Sequence, residues 1–364
     1  MSPSDRADAR GPSIPAAALV DYIARIFAAT GSPADEAQRV ADHLVGANLR
    51  GHDSHGVIRT PGYVNLASTG VLKPGAAPSI LRESASTALL DGGWNYGQVA
   101  AYHATNLAIA KARETGIGWV SACNSGHIGR VGAYGEQIVA AGMIAFGGVN
   151  SPGTRLTAAF GGAHRRLGTS PILIAMPGPS ADEPFVLDMA TSVIAEGKVR
   201  VAVNRGTQLK PQLIIDGDGQ PTTEPRDFYG TGANPKQGAL LPVGGDTGGH
   251  KGFALNMAME ALSGILSGAG TSVEGQRGSN GVFIMALDPT RFVEAGVFVS
   301  MMTALVGFVK EPPYAPGVSE ILTAGEPERR TMADRLAHGV PLDDETWKQI
   351  ADAAASVGVA PLDA

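Results

Sequence analysis

The order of helical and strand patterns along the chain predicts an α+β fold. Helical periodicity dominates residues 14–50 and returns near the carboxyl end, while strand and helix patterns alternate in between. Spacings between successive strands are irregular, and no unit of about 20 to 50 residues repeats. We therefore expect a central lobe with a mixed or antiparallel sheet, packed against a mostly helical lobe built from both chain ends.

Hydrophobic spacing and breaker residues predict the individual elements in order. Two helices occupy residues 14–50 with a break at Gly31, and Gly116 ends a helix over residues 98–114. Further helices are expected at 130–142, 251–267 and 344–357, with some helix in 61–75 and a short helix paired with a strand in 291–310. Short apolar runs predict strands at 89–93, 117–122, 143–149, 171–176, 185–187, 213–215 and 281–287.

The chain is long enough for more than one lobe, since 44% of its 364 residues are hydrophobic. We expect a helical domain over residues 1–85, an α+β domain over 86–250, and a helical segment over 251–364 that returns to the first domain.

Composition narrows the classes of function. The net charge is −6 without any basic run, so nucleic acid is not an expected partner. Cys123 is the sole cysteine, which excludes an internal disulfide and a cysteine-rich metal site. No run of about 18 apolar residues predicts a membrane span, and no apolar signal-peptide region follows the polar start. A cytoplasmic protein is the expectation.

The run from Gly51 to Arg59 is the densest cluster of chemically useful residues. His55 can exchange a proton near neutral pH, and Ser54 and Asp53 are hydrogen-bonding groups that could orient it. Arg59 presents a planar fork suited to a carboxylate. These residues predict a site that holds a small carboxylate and moves a proton on the neighbouring carbon. A surface or capping histidine is the alternative.

A metal site is not expected in this cluster. His52 and His55 are three positions apart, but zinc sites with such spacing need a helix and a third ligand. Gly51 and Gly56 argue against a helix here.

A second cluster, Asn124 to Arg130, follows a predicted strand and opens a predicted helix. The start of a helix binds anions such as phosphate, although an ordinary glycine turn explains the pattern equally well. The glycine spacing is not GxGxxG, and neither that motif nor a Walker A motif occurs in the chain. A Rossmann fingerprint is therefore absent.

Small polar loops flank the remaining strands and one helix. They comprise Asn150-Ser151-Pro152, Gly168-Thr169-Ser170-Pro171, Asp188-Met189-Ala190-Thr191-Ser192 and Gly248-Gly249-His250-Lys251-Gly252. Turn chemistry explains each loop by itself. Lys251 is different, because a cation at a helix start opposes the dipole and suggests an anion nearby, unless the lysine is simply solvated.

Taken in order, these motifs resemble the malate/L-lactate dehydrogenase family of the second type. That group also includes ureidoglycolate and sulfolactate dehydrogenases and the cyclic-imine-2-carboxylate reductases. The resemblance runs from about Ala34 to Arg330. It rests on Leu49 to Gly56, Ser125 to Gly129, Gly168 to Pro171, Asp188 to Ser192, His250 to Phe253 and Gly325 to Pro327.

The resemblance implies an NAD- or NADP-dependent oxidoreductase, usually a homodimer, whose nicotinamide-binding domain is not a Rossmann fold. It assigns the proton relay to Ser54 and His55, or to His127 as in some members, and the substrate carboxylate to Arg59. Asp188 falls in both the catalytic and the cofactor set. The implied cofactor contacts are His127, Ile128, Gly129, Ser151, Asp188, Met189, Ala190, Lys251, Gly325 and Glu326.

The implied reaction transfers hydride between the nicotinamide and a small 2-hydroxy or 2-oxo acid of malate, lactate, sulfolactate or ureidoglycolate type. Reduction of a cyclic imine-2-carboxylate is the nearer alternative, and a metal-dependent hydrolase using His52, His55 and His127 is the farther one. Two positions depart from the family pattern: Ser170, where many relatives carry asparagine, and Arg130, where a smaller residue is common. Arg130 could touch a cofactor phosphate or merely reach solvent.

Overall fold

The computed structural model describes residues 11–275 and 278–362, and of residues 204 and 205 only the backbone. The helices are α1 Ala16–Ala29, α2 Ala34–Leu49, α3 Thr60–Ser68, α4 Gly97–Thr115, α5 Gly132–Ala140, α6 Glu196–Arg205, α7 Gly245–Met259, α8 Val297–Val309, α9 Glu326–His338 and α10 Asp344–Ser356. The strands are β1 Ser13–Ile14, β2 Ser79–Glu83, β3 Thr87–Asp91, β4 Ile117–Gly126, β5 Ile144–Asn150, β6 Thr157–Ala158, β7 Arg165–Leu167, β8 Ile172–Met176, β9 Phe185–Met189, β10 Ile214–Ile215, β11 Pro221–Thr222, β12 Ala239–Leu240, β13 Ser279–Leu287 and β14 Val340–Pro341.

The largest sheet has seven strands in the order β2-β3-β4-β13-β5-β8-β9. Only β3 and β4 pair in parallel, and every other neighbouring pair is antiparallel. It follows that β4, β5 and β9 point the same way and end, at Gly126, Asn150 and Met189, on one side of the sheet. We call this side the carboxyl edge. The prediction of a mixed sheet is confirmed.

Two large cores stabilise the molecule. One joins both chain ends, because side chains of α1, α2 and α3 pack with β14 and α10; its members include Tyr22, Leu44, Tyr63, Val340 and Ile350. The other fills the space between the seven-stranded sheet and helices α4 and α5. A five-stranded sheet, β11-β10-β12-β6-β7, has small cores of its own. The domain boundaries at residues 85 and 250 stay a prediction, and β13, from beyond residue 250, lies between β4 and β5.

Three expectations about local structure were wrong. Residues 291–310 contain α8 and no strand, because the valine-rich run that suggested a strand is helical throughout. Helix α7 begins at Gly245, so Lys251 lies within the helix and the argument from an unfavourable helix start fails. The glycines there reflect close packing: a Cβ on Gly252 would lie 2.3 Å from the Val243 carbonyl oxygen. Strand β2 and helices α6 and α9 were missed, since their polar faces mask the periodicity.

Within the described part of the chain, no helix combines the length and apolar character needed to cross a bilayer.

Candidate functional site

The Gly51–Arg59 loop is a tight double turn between α2 and α3. Short 3-10 turns cover Asp53–His55 and Val57–Arg59. Gly51 has a φ of +79°, which favours glycine. A Cβ on Gly56 would lie 2.1 Å from the Asn48 side-chain oxygen, so a larger residue would displace this contact. The backbone conformations of Gly51 and Gly56 therefore determine the directions of the side chains between them.

Asp53 anchors the loop and does not orient His55. Its carboxylate accepts two hydrogen bonds from Arg335 of α9, at 2.5 and 3.0 Å, and one from the Asn48 side-chain amide at 2.7 Å. The Arg335 side chain is 3% exposed. The loop is thereby fixed to a helix more than 280 positions away in sequence.

His55 is oriented by its neighbour Ser54. The Ser54 Oγ lies 3.0 Å from His55 Nδ1. Burial, together with the positive charge of Arg59, lowers the pKa of His55 to about 3. The ring is consequently neutral at physiological pH and able to accept a proton.

Arg59 extends from the same loop as an exposed side chain. Its Nε donates to the Ser54 carbonyl oxygen at 2.6 Å, which fixes the plane of the guanidinium beside the Ser54–His55 pair. Among the described residues, no carboxylate forms an ion pair with its terminal nitrogens. They are free to hold an external carboxylate.

His127 follows β4 at the carboxyl edge, and its ring lies against the ring of His55. The rings stack with centroids 5.5 Å apart and an interplanar angle of 21°. Two motifs about seventy positions apart in the sequence thus lie next to each other. The sequence named both histidines as candidates but did not place them relative to each other.

A hydrogen-bond chain orients the ring of His127. The Gln98 side-chain amide donates to the Tyr63 hydroxyl at 3.1 Å, and that hydroxyl lies 2.6 Å from His127 Nδ1. Burial raises the pKa of Tyr63 to about 12, so the phenol stays protonated. Its single proton can be donated to Nδ1 or to the His127 carbonyl oxygen, which is 3.3 Å away. Donation to Nδ1, the shorter contact, makes the neutral ring an Nε2–H donor. Burial also holds the pKa of His127 well below its ordinary value.

Asn280 of β13 ties the loops of the carboxyl edge together. Its amide nitrogen donates to Ser151 Oγ and to the Asn150 carbonyl oxygen, each at 3.0 Å, and its oxygen accepts from the Ile128 amide at 2.9 Å. Ile128 and Ser151, both predicted cofactor contacts, are therefore held side by side.

The start of α5 already has an anion of its own. The Asp188 carboxylate, at the end of β9, accepts from the Gly132 amide at 2.7 Å. The idea that this helix start binds an external phosphate therefore loses support. The hydrogen bond between Asp188 and Gly132 places Asp188, with half-buried Met189 and Ala190, at the same edge as His127 and Gly129.

Arg130 does not reach solvent, since its side chain is only 3% exposed. It donates to Glu136 at 2.8 Å, and its Nε lies 4.0 Å from the Asp188 carboxylate. Arg50 pairs with the same Glu136 at 2.9 Å. The His43 ring accepts from the Arg130 backbone amide at 2.8 Å, and burial lowers the pKa of His43 to about 3.

The remaining predicted cofactor residues lie farther out. Lys251 is exposed on α7. Gly325 caps α9 beside β9, where the Val186 amide donates to the Ala324 carbonyl oxygen at 3.2 Å. The Glu326 carboxylate pairs with Lys310 and accepts from the Thr323 amide at 2.7 Å. A cofactor contact by any of these three residues stays a prediction.

The geometry does not favour the metal-dependent alternative. His52 lies 3.5 Å from Glu328, and this hydrogen bond lowers the pKa of the Glu328 carboxyl. His55 and His127 are engaged by Ser54 and Tyr63. In the described ranges, no three His, Cys, Asp or Glu side chains are grouped to hold a metal ion.

Sequence reasoning missed the residues that support the two histidines. Tyr63, Gln98, His43 and Asn280 lie in helices or a strand whose sequence pattern names no partner, and Arg335 lies in α9, which was not predicted. Only Asn280, directly before the strand predicted at 281–287, carried a weak positional signal.

Comparisons with known proteins show which proteins the whole chain is similar to. Residues 14–351 match the family described as malate/L-lactate dehydrogenase. Hydroxycarboxylate dehydrogenase B of Escherichia coli O157:H7 is 37% identical over 96% of this chain and 95% of its own. The structure of malate dehydrogenase from Pyrococcus horikoshii OT3 superposes with a TM-score of 0.86 at 36% identity, covering 96% of this chain and 97% of that one. The Δ1-piperideine-2-carboxylate reductase structure from Pseudomonas syringae pvar. tomato gives 0.81 at 28% identity, covering 94% and 100%.

Proposed function

The chain belongs to the malate/L-lactate dehydrogenase family, and from this premise we propose that it is an NAD- or NADP-dependent oxidoreductase acting on a small 2-hydroxy or 2-oxo acid. Membership makes it an enzyme of the oxidoreductase class. Substrates of malate, lactate, sulfolactate or ureidoglycolate type are the candidates.

One observation carries the proposal: two neutral histidines lie stacked beside a free guanidinium, each with a different hydrogen-bond partner. His55, bonded to the Ser54 hydroxyl, can take a proton. His127, bonded to the Tyr63 hydroxyl, can only donate from Nε2 while Tyr63 donates to Nδ1. A proton acceptor, a hydrogen-bond donor and a carboxylate anchor are what oxidation of a 2-hydroxy acid requires.

The carboxyl edge fits a nicotinamide cofactor. His127, Ser151, Asp188, Met189 and Ala190 are all half-buried there, whereas β4 and β5, which lead to His127 and Ser151, are largely buried. This leaves an accessible row of donors and acceptors next to the histidine pair. These residues, with Ile128 and Gly129, would hold the cofactor, and Lys251, Gly325 and Glu326 are its proposed outer contacts.

The reaction can be assigned to the chain's own groups. The terminal nitrogens of Arg59 bind the substrate carboxylate. In the tautomer whose Nδ1–H donates to Ser54, Nε2 of His55 accepts the hydroxyl proton, while Nε2–H of His127 hydrogen-bonds the same oxygen. The nicotinamide, when bound, supplies the hydride acceptor. A carboxylate on Arg59 offsets the positive charge that lowers the pKa of His55, so substrate binding strengthens the base. In this scheme Asp188 holds the edge of the site by accepting from Gly132.

Reduction of a cyclic imine-2-carboxylate is the second candidate, favoured by the likeness to the Δ1-piperideine-2-carboxylate reductase structure. The same Arg59 would hold the carboxylate. The choice between NAD and NADP is left to experiment. A cytoplasmic homodimer with no nucleic-acid or membrane partner completes the proposal.

The test follows the absorbance of the reduced nicotinamide with purified protein, both cofactors, and a panel of 2-oxo acids and cyclic imine carboxylates. Oxidation of NADH or NADPH by a 2-oxo acid supports the proposal and identifies cofactor and substrate. Turnover of imines alone supports the second candidate. Silence across the panel, with no cofactor binding by fluorescence, would overturn both.

A further inference from the structure

Gln98 is a buried polar side chain that lies outside every motif of the sequence. It belongs to the first turn of α4 and is 1% exposed. Its amide nitrogen donates to the Tyr63 hydroxyl at 3.1 Å, while no donor among the described residues reaches its amide oxygen. Because a buried oxygen without a partner costs free energy, stability alone does not explain an amide at this position.

The start of α4 packs directly onto the backbone that carries His127. A Cβ on Gly97 would lie 2.2 Å from the Gly126 carbonyl oxygen and 2.5 Å from the carbonyl oxygen of His127. Gly97 therefore permits a close approach that a larger residue would prevent. This contact places the amide of the next residue, Gln98, behind the Tyr63 hydroxyl, which lies 2.6 Å from Nδ1 of His127.

The Tyr63 hydroxyl has one proton and two candidate acceptors on His127. Nδ1 lies at 2.6 Å and the carbonyl oxygen at 3.3 Å. Because Gln98 donates to the phenol oxygen, an Nδ1–H directed at that oxygen would be a second donor and would leave the phenol proton to the longer contact. Donation by Gln98 therefore favours Tyr63 as the donor to Nδ1, with the His127 proton on Nε2.

We propose that Gln98 is a positioning residue that, through Tyr63, keeps His127 a hydrogen-bond donor at Nε2. The inference rests on the proposed function, in which this Nε2–H bonds the substrate oxygen, and it names the residue that selects between the two roles open to His127. A side chain at position 98 that only accepts would reverse the chain. Tyr63 would donate to it and accept from Nδ1–H, and Nε2 of His127 would then carry a lone pair in place of the proton.

Burial makes the chain depend on protein groups. Tyr63 is 5% exposed, and its ring centroid lies 6.2 Å from that of Phe27 and 6.1 Å from that of Tyr96. The phenol stays protonated, because burial raises the pKa of Tyr63 to about 12. His55 differs, since the partner of its Nδ1 is the hydroxyl of the adjacent Ser54. The asymmetry between the two histidines therefore originates at Gln98.

The test observes both ring nitrogens of His127 by NMR in protein labelled with nitrogen-15 histidine, with the signals assigned by their loss in His127→Asn. We expect the natural protein to carry the proton on Nε2. Gln98→Glu should move it to Nδ1 once the carboxyl is ionised, since a carboxylate only accepts. Spectra up to about pH 10 reach that state, because the pKa values of buried glutamates extend to about 9. A proton on Nδ1 in the natural protein, or on Nε2 in Gln98→Glu at that pH, would overturn the proposal.

Kinetics at the same alkaline pH connect the spectra to the reaction. Gln98→Glu should lower kcat by about 10- to 100-fold, because the substrate oxygen loses a donor, with little change in KM because Arg59 is untouched. Gln220→Glu makes the same change at an exposed position and should leave both constants unchanged. An unchanged kcat in Gln98→Glu would contradict the role of Gln98.

Gln98→Met guards against misfolding, because it adds no charge to the interior. Without the amide donor, the Tyr63 proton can go to either acceptor on His127, so both proton positions on the ring become populated and the two nitrogen signals should move toward each other. An unaltered Nε2–H signature in this variant would overturn the role of Gln98. The spectra need no substrate, whereas absence of turnover and of cofactor binding would overturn the proposed function, so the two failures are distinguishable.

Discussion

The loops that carry His55 and His127 orient their imidazole rings through different hydrogen-bond partners. His55 is oriented by Ser54, its neighbour in sequence, and the loop around it is clamped by Arg335. His127 lies at the end of β4 and is oriented by Tyr63, 64 positions away, with Gln98 behind it. The first partner is a hydroxyl that can donate or accept. The second is a phenol that accepts from Gln98 and, when it donates to Nδ1, leaves the His127 proton on Nε2. From this difference we propose proton transfer by His55 and hydrogen-bond donation by His127.

Removing His55 should have the largest effect. His55→Ala is expected to lower kcat by roughly 10² to 10⁴ because the proton acceptor is lost. His103→Ala, at an exposed position on α4, is the control and should leave kcat unchanged. Steady-state kinetics measure both. An unchanged kcat in His55→Ala would contradict the proposed role of His55 and make His127 the candidate for proton transfer.

The ion pair between Arg335 and Asp53, which holds the His55 loop, should contribute to the free energy of unfolding. Arg335→Met leaves the partly buried Asp53 without its partner and should lower the free energy of unfolding by about 2–3 kcal/mol, below the usual cost for a fully buried pair because the Asp53 side chain is 43% exposed. Arg330→Met removes an exposed pair with Glu320 and should cost less than about 1 kcal/mol. Urea unfolding compares them. Equal losses would mean that the clamp is no stronger than a surface pair.

Arg59→Lys tests the carboxylate anchor of the first loop. A lysine keeps the charge but loses the planar fork, so KM should rise about tenfold with little change in kcat. Initial-rate kinetics with the identified substrate separate the two constants. An unchanged KM would remove Arg59 from the substrate site.

Tyr63→Phe tests the hydrogen bond between Tyr63 and Nδ1 of His127. It removes one hydrogen bond and releases Nδ1 of His127, so kcat should fall by roughly 3- to 10-fold. The pH at which activity is lost on acidification should also rise, because His127 becomes easier to protonate. Tyr314→Phe, on the segment after α8, is a matched change outside this site. A pH profile that coincides with that of the natural protein would argue against the fixed tautomer.

The free energy of unfolding should depend on pH, because His43 and His55 have lower pKa values in the folded protein than in the unfolded chain. The folded-state pKa values of His43 and His55, about 3, lie below the ordinary 6.5, so the unfolded chain binds more protons between these values. Stability should therefore fall as the pH decreases from about 6.5 toward 3, by at most about 1.4 kcal/mol per pH unit for each histidine. His43→Gln keeps an acceptor for the Arg130 amide and should flatten the decrease. Urea unfolding between pH 7 and 5 measures the slope, and an unaltered slope would contradict this account.

Short-range features could be taken from the sequence. The glycines around His55, the neighbouring Ser54 and the polar loops after apolar strands are local patterns, and local sterics set the turns and strand ends. The mixed sheet followed from irregular strand spacing. The strand expected in α8 was wrong because apolar β-branched runs suit either element, and in α8 the tertiary environment decides.

Only the tertiary structure brought the pieces together. Strand order and direction place Gly126, Asn150 and Met189 at one edge, and no periodicity encodes which strands become neighbours. The partners Tyr63 for His127 and Arg335 for Asp53 are chosen by packing between distant helices. Asp188 accepts a hydrogen bond at the start of α5, where the sequence suggested that a phosphate could bind. Which chemical groups are available and where the chain turns can be read from neighbouring residues, because these features depend on local chemistry and sterics. Which groups meet, and how buried they become, depends on long-range contacts that exist only in the folded chain.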